Sequence, residues 1–304
     1  MSKILVSGLI NIETTVKIDG FPITYTPVRY PFFGVNSSVS GVGYNIAKAL
    51  TTLGLPVHFL SMVGRDLAAQ NVYAQLKADQ IPFGFVISEL EQTSCSAILY
   101  DPSGRRMINV DLKNVQERAY PPVLFEQAAQ DVSLAVLCNI NFSRPFLSQM
   151  RERGVPVITD VHTISDLDDS YNRDFMAAAN ILFMSDERLP CPPEDWVRLL
   201  WDRNWAEIAV VGLGSRGALL AVRRDNMIQH IPAVQTRPVV NTIGAGDALF
   251  SSFVAVYHQT GDPYLAIRKA VVFASYKIGT AGAADGFLDA AGLDRLFAEV
   301  SARV

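Results

Sequence analysis

Cysteine is scarce in this chain of 304 residues: Cys95, Cys138 and Cys191 are odd in number, far apart and without CxxC spacing. That pattern supports neither a disulfide framework nor a zinc site and reads as free thiols. No stretch approaches the roughly 20 consecutive apolar residues that a spanning helix needs. The opening run Met1-Ser2-Lys3-Ile4-Leu5-Val6-Ser7-Gly8 lacks the long apolar region and small-residue cleavage site of a signal peptide, which predicts a cytoplasmic protein. Positive charge is not in excess either, with 26 Lys and Arg against 30 Asp and Glu, a net charge of −4 and a pI near 5.6. A duplex-binding surface needs clustered cations to displace counterions from phosphates. Neither nucleic acid nor membrane is therefore an expected partner. Short-period repeats, low-complexity tracts and dividing linkers are also missing, so residues 1–304 read as one domain.

What is present is a globular composition, 49% hydrophobic and 18% charged, enough to build a large core. Short runs of Val, Ile and Leu recur at Ile4 to Ser7, Val57 to Val63, Leu134 to Cys138, Val155 to Thr159, Ile181 to Met184 and Ile208 to Val211. Runs apolar on both faces suit strands covered by helices on each side. Helical patterns fall between or after them at Tyr44 to Leu53, Ala68 to Ala78, Arg144 to Arg153, Glu194 to Asn204, Ala245 to Gln259, Pro263 to Gly279 and Asp289 to Ala302. The series predicts a three-layer α/β/α fold around a mainly parallel sheet. Two stretches break the rhythm, residues 12–36 and 81–112. In the second, Ser96 to Tyr100 and Met107 to Val110 flank the turn Asp101-Pro102-Ser103-Gly104, a hairpin signature. Together they predict a small β lid.

The segment richest in chemistry is Asn241-Thr242-Ile243-Gly244-Ala245-Gly246-Asp247-Ala248-Leu249-Phe250, at the start of an apolar helix. Small residues let main-chain amides crowd an anion at a helix N-terminus, where free donors and the dipole both favour negative charge. Asp247 in the first turn is placed to accept a proton from a hydroxyl beside that anion, and phosphoryl transfer needs little more than alignment, charge stabilisation and such an acceptor. The same residues also fit a plain strand-to-helix turn capped by Asp247. A second small-residue helix start lies about 200 residues earlier, Ser40-Gly41-Val42-Gly43-Tyr44-Asn45-Ile46-Ala47, followed by Gly54 and Gly64.

In this order and at these junctions, the two segments resemble the paired signatures of the ribokinase family, the phosphofructokinase B-type carbohydrate and nucleoside kinases. The resemblance runs from Gly8-Leu9-Ile10-Asn11-Ile12-Glu13 through Gly214-Ser215-Arg216-Gly217 to Gly282-Ala283. It implies an ATP-dependent kinase acting on a small-molecule sugar or nucleoside. Asp247 then looks like the base and the amides of Gly244, Ala245 and Gly246 like the anion hole. Asn11, Glu13, Gly41, Gly43 and Asn45 match positions that meet the acceptor's hydroxyls. Gly214, Gly217, Thr242 and Gly282 match the ATP shelf, with a plain hairpin as the alternative for the Gly214 to Gly217 turn. Glu13 stands where the family usually has Asp, with a solvated strand-end carboxylate as the alternative. Ser40 replaces a Gly in what reads as a change of loop geometry alone.

Asn241 replaces an Asp that in several relatives helps hold a monovalent cation, which weakens that requirement while leaving room for carbonyl ligation. Mg2+ is expected with ATP, whose charge needs neutralising. The family's NxxE motif fails at Ser185-Asp186-Glu187-Arg188, so Asp160 and Glu187 are the metal candidates, beside the reading of residues 186 and 187 as an exposed acidic turn. His162 reads as a packed or exposed side chain. The Gly41 to Ala47 run looks closer to nucleoside-type members, including pseudouridine kinase, than to ribokinase, whose loop has Lys where Val42 stands. That predicts a nucleoside or unphosphorylated sugar as acceptor. A vitamin-precursor kinase and a binding protein without turnover are the alternatives. The apolar alternation of the lid predicts a homodimer joined through it.

Overall fold

Every second residue of the central strands packs on one side and the residues between them on the other. Ile4 and Val6 join one apolar layer while Leu5 joins the opposite one, and Leu220 and Leu219 divide in the same way. A computed structural model describes residues 2–302. In chain order the elements are β1 (Lys3–Ser7), β2 (Asn11–Lys17), β3 (Val35–Ser40), α1 (Val42–Thr52), β4 (Val57–Val63), α2 (Leu67–Ala78), β5 (Val86–Ser88), β6 (Cys95–Tyr100), β7 (Arg106–Asp111), α3 (Pro122–Ala128) and β8 (Val132–Leu137). They continue with α4 (Arg144–Glu152), β9 (Val157–Thr163), α5 (Arg173–Ala178), β10 (Ile181–Ser185), α6 (Pro193–Asp202), β11 (Ile208–Gly212), β12 (Ala218–Val222), β13 (Met227–Ile231), α7 (Ala245–Thr260), α8 (Pro263–Lys277) and α9 (Ala290–Ser301).

The larger sheet has nine strands in the order β13-β12-β11-β10-β9-β8-β1-β4-β5. Strands β11 to β5 in that order are mutually parallel, while the β11–β12–β13 end is antiparallel. Helices α1, α2, α7, α8 and α9 bury their apolar faces on one side, through residues such as Tyr44, Leu76, Phe253, Phe273 and Leu293. Helices α3 to α6 cover the other with Phe125, Phe146, Phe175 and Trp196. This is the predicted three-layer α/β/α arrangement, in which the C-terminal ends of parallel strands gather ligand-binding loops.

A separate four-stranded sheet, ordered β3-β2-β6-β7, stands over that end. The predicted hairpin is present, with Tyr100 opposite Arg106. The lid differs from expectation at its second segment, because Val86 to Ser88 pair with Ser61 to Val63 in the larger sheet and the lid resumes only at Cys95. Proline and glycine around a three-residue edge strand give the same sequence signal as a lid connector. The first segment also runs further than expected, since β3 continues through Ser40 to the glycines that open α1. Helices α3 and α5, of seven and six residues, are too short to show a helical period in the sequence.

Helix starts differ in a way that bears on function. The side chains of Asp66, Asp262 and Asp289 cap α2, α8 and α9 by accepting bonds from first-turn amides. Helices α1 and α7 instead begin after Gly41 and Gly244, both at positive φ, with no side-chain cap. Some of their first-turn donors, such as the amides of Gly246 and Asp247, are left without an acceptor among the described residues.

Candidate active site

The two uncapped helix starts face one another under the lid. Asn45 in the first turn of α1 donates from Nδ2 to Asp247 Oδ2 of α7 at 2.6 Å, joining positions 202 residues apart. That closeness depends on glycine. A Cβ on Gly41, at φ +106°, would lie 2.6 Å from the Leu9 carbonyl oxygen, and one on Gly43 would lie 2.5 Å from the Gly8 carbonyl carbon. The β1–β2 connection therefore packs directly on α1 and carries β2 into place above Asp247.

Strand β2 turns Asn11 and Glu13 inward. Both are buried, at 4% and 6% exposure, yet Asn11 Oδ1 and Glu13 Oε1 have no hydrogen-bond partner within the described residues. A buried acceptor without a donor costs about 1–3 kcal/mol, so such atoms mark a place where a ligand donates. The remaining atoms are held: Asn11 Nδ2 donates to Ser96 Oγ of the lid at 3.2 Å, and Ser40 Oγ donates to Glu13 Oε2 at 3.1 Å. Ser40 Oγ also lies 3.4 Å from Asn45 Oδ1. The expectation that Ser40 affects only loop geometry is thus incomplete, because its hydroxyl links the Glu13 carboxylate to the Asn45 amide that holds Asp247. Burial outweighs the Ser40 bond and raises the Glu13 carboxyl above the usual range.

Asp247 is half-buried in this cluster. Desolvation raises its carboxyl above the ordinary aspartate value, the Asn45 bond opposes this, and nearby His162, Asp160 and Lys277 add smaller contributions of mixed sign. Asp160 belongs to β9, opposite Phe183 of β10, and accepts from the His162 amide at 2.7 Å. His162 adopts φ +57°, which bends the end of the strand. The structure thus gathers Asn45, Glu13, Asp160, His162 and Asp247 at one end of the sheet, with Lys277 beneath.

The Gly244 to Asp247 loop has donors free. Ala245 N–H bonds the Thr242 carbonyl at 3.2 Å, whereas the amides of Gly244, Gly246 and Asp247 have no acceptor among the described residues. The unengaged donors of the loop are therefore those of Gly244, Gly246 and Asp247, while Ala245 N–H, the third amide expected from the sequence, is engaged by Thr242. A Cβ on Gly244 would meet the Ala283 carbonyl oxygen at 2.3 Å, so the turn beginning at Gly282 presses on the loop from behind; nothing lies within 4 Å of the corresponding position on Gly246, which is open. The lid closes the other side. Ile98 of β6 packs against Ile243 and Ala283, and Arg106 of β7 donates to Thr242 Oγ1 at 2.9 Å.

Gly214 and Gly217 make the β11–β12 hairpin. Gly217 is required there by packing, since a Cβ at its φ of +102° would lie 2.1 Å from the Ile231 carbonyl oxygen, while Gly214 has open space beside it. Arg216 of this turn pairs with Asp186, which occupies that carboxylate. Glu187 N–H donates to Ser185 Oγ at 3.3 Å. No cluster of three His, Cys, Asp or Glu side chains able to hold a metal occurs among the described residues. Asp160 and Glu187 thus belong to no ready-made cage among the described residues. Asn241 brings no charge to the loop and both ends of its side chain are engaged: Nδ2 donates to the Ala281 carbonyl at 2.6 Å and Oδ1 accepts from the Ile243 amide at 3.0 Å.

Sequence reasoning missed Ser40, Arg106 and Lys277. Ser40 hid behind a glycine comparison, and Arg106 behind an ordinary basic turn residue. Lys277, in the last turn of α8, looks like a cation complementing the helix dipole.

A mainly parallel sheet that carries a loop of free amides and a carboxylate at its carboxyl edge, under a small β lid, is the frame of a small-molecule phosphotransferase of the ribokinase fold. Known proteins agree. Residues 1–187 and 194–290 match the pfkB family of carbohydrate kinases, and the chain belongs to that family. It is 26% identical, over 97% of its length and 98% of the relative's, to the acarbose 7(IV)-phosphotransferase of Actinoplanes sp.. A microbiome-derived acarbose kinase superposes with a TM-score of 0.86 at 25% identity, covering 98% of this chain and 99% of that one. Arabidopsis thaliana ribokinase complexed with ribose and ATP shares the fold, with a TM-score of 0.79 at 18% identity over 97% and 98% of the two chains. The protein is thus a kinase of the sugar and nucleoside type, in a family that uses ATP.

Proposed function

We propose that this kinase transfers the γ-phosphoryl group of ATP to a hydroxyl of an unphosphorylated sugar, with Asp247 as the base. The carrying observation is the 2.6 Å bond from Asn45, which fixes the Asp247 carboxylate beside the free amides of Gly244, Gly246 and Asp247. The acceptor oxygen forms its bond to phosphorus as the bond to the leaving β-phosphate oxygen breaks, and the hydroxyl proton passes to Asp247. The loop amides meet the charge on the transferred group. Mg2+ bound to the polyphosphate would neutralise part of its charge. Thr242 and Gly282 line the donor side, and the open flank of Gly214 extends it.

The unpartnered oxygens of Asn11 and Glu13 support a polyhydroxyl acceptor, since both ask for donors, and the Glu13 carboxylate repels a second phosphate. The likeness to acarbose phosphotransferases favours a sugar. The Gly41 to Ala47 run favours a nucleoside, which is the second reading. ATP consumption with a panel of both classes separates them, and no turnover with any acceptor would leave a binding protein. Asp247→Asn should lower turnover of the best acceptor by about 10²–10⁴; equal rates would remove Asp247 from this role.

We also place the protein in the cytoplasm as a homodimer. No helix among the described residues is long and apolar enough to cross a membrane. Met107, Ile108 and Val110 lie exposed on the outer lid strand, as do Tyr25, Tyr30, Phe32 and Phe33 on the β2–β3 connection. A second lid covering them is consistent with edge and patch burial. Sedimentation showing only monomer at micromolar concentration would reject the dimer.

A further inference from the structure

The Lys277 side chain is completely buried, with 0% exposure, at the end of α8. Its Nζ donates to the carbonyl of Ile243, the residue immediately before the Gly244 to Asp247 loop. Lysine is almost never buried without a paired charge, because desolvating an ammonium is costly. Here the facing charges come from four directions: Asp247 on α7, Glu13 on β2, Asp285 in the turn after α8, and the opposing cation Arg237 in the segment after β13. Three carboxylates against one guanidinium leave a net negative field around the ammonium. Asn241, beside it in the loop, contributes no charge and spends both polar ends on main-chain partners.

We infer that the Lys277 ammonium is the resident cation of this active site, tethering the Ile243 carbonyl, setting the anion loop and replacing any external monovalent ion. The inference rests on the kinase reading and deepens it. Lys277 is a positioning residue, since its nitrogen touches the loop backbone and not a reacting atom. The role fits the chemistry of the donor set. A carbonyl and nearby carboxylates attract a monovalent cation, and a covalently attached one occupies that place without depending on salt. Burial lowers the Lys277 ammonium to about 8, with the three carboxylates holding it from falling further. A group lowered from 10.5 to about 8 is charged below that pH and neutral above it. The loop therefore loses its cation as pH rises through about 8, and turnover falls on the alkaline side.

The test compares wild type, Lys277→Met and Lys277→Arg in buffers containing only bulky organic cations, then with K+ or ammonium added. Expected are a wild-type rate indifferent to K+ and an alkaline fall in kcat near pH 8. Lys277→Met should lose about 10²-fold in kcat, comparable to loss of an oxyanion-hole donor, with a smaller change in acceptor KM. It should regain part of that rate on adding ammonium or methylammonium and lack the alkaline limb near 8. Lys277→Arg should keep activity to higher pH. A wild type that needs K+, or a Lys277→Met enzyme with wild-type kcat and alkaline limb, overturns the inference. If Lys277→Met does not fold, the wild-type K+ response and alkaline limb decide it. If wild type turns over no acceptor, the kinase reading fails separately. Calorimetric ATP binding by wild type and Lys277→Met, with and without K+, then still reads the inference: K+-dependent binding by wild type overturns it.

Discussion

The two sheets of this protein obey different rules. In β12 every residue is buried and in β11 all but the last, whereas all six residues of β7 in the lid are exposed. The large sheet is specified on both faces by apolar contacts, so it resists change and supplies a fixed frame. The lid is specified on one face by Asn11, Glu13, Ser96 and Ile98, and its other face is free to vary. The candidate site sits where the frame ends and the lid begins, so stability and selectivity should respond to different residues.

The sharpest test of that division is Asp247→Asn. Base removal should cost about 10²–10⁴ in kcat, yet the fold should gain stability. The Asp247 pKa is raised by burial, above its unfolded value, so the carboxylate destabilises the native state at neutral pH and the cost is relieved as pH falls through the raised pKa. A higher melting temperature with lost turnover is the expected pair, and a lower one would break it. In the frame, Phe253→Ala removes a fully buried ring that meets Phe183 edge-on and stacks on Tyr257. It should lower unfolding free energy by about 3–5 kcal/mol in denaturant titration, with acceptor preference unchanged. On the inner face of the lid, Ser40→Ala leaves Glu13 Oε2 without its donor. It should raise acceptor KM by roughly tenfold, the equivalent of about 1.4 kcal/mol, and change the melting temperature little. On the outer face, Ile108→Thr should shift unfolding free energy by no more than about 0.5 kcal/mol. The raised Asp247 pKa predicts one further limb, a fall in kcat/KM as pH drops below a value above that of ordinary aspartate, measurable by a pH series at saturating ATP.

The frame was legible in the sequence because strands such as Val57 to Val63 are continuous apolar runs, and these leave few other readings. The Gly41 and Gly244 helix starts were legible too, because glycine at those places is demanded by backbone proximity. The partners at the site were less visible. Asn45 and Asp247 meet through the packing of α1 on α7, and no local pattern encodes a contact over that separation. Ser40 enters the cluster through a cross-strand contact with Glu13, which no local pattern encodes. Lys277 carries no sequence mark of its burial, since it ends a helix where a solvated lysine is ordinary. The limits of the lid were obscured by β5, whose three residues look like any turn-flanked fragment.

The plug formed by Ile98, Ile243 and Ala283 joins the lid to the start of the Gly244 to Asp247 turn. Because Ile98 rests on Ile243, the residue just before the loop, a displacement of β6 from the larger sheet would expose Ile243, so the seating of the lid and the packing behind the loop are mechanically one feature.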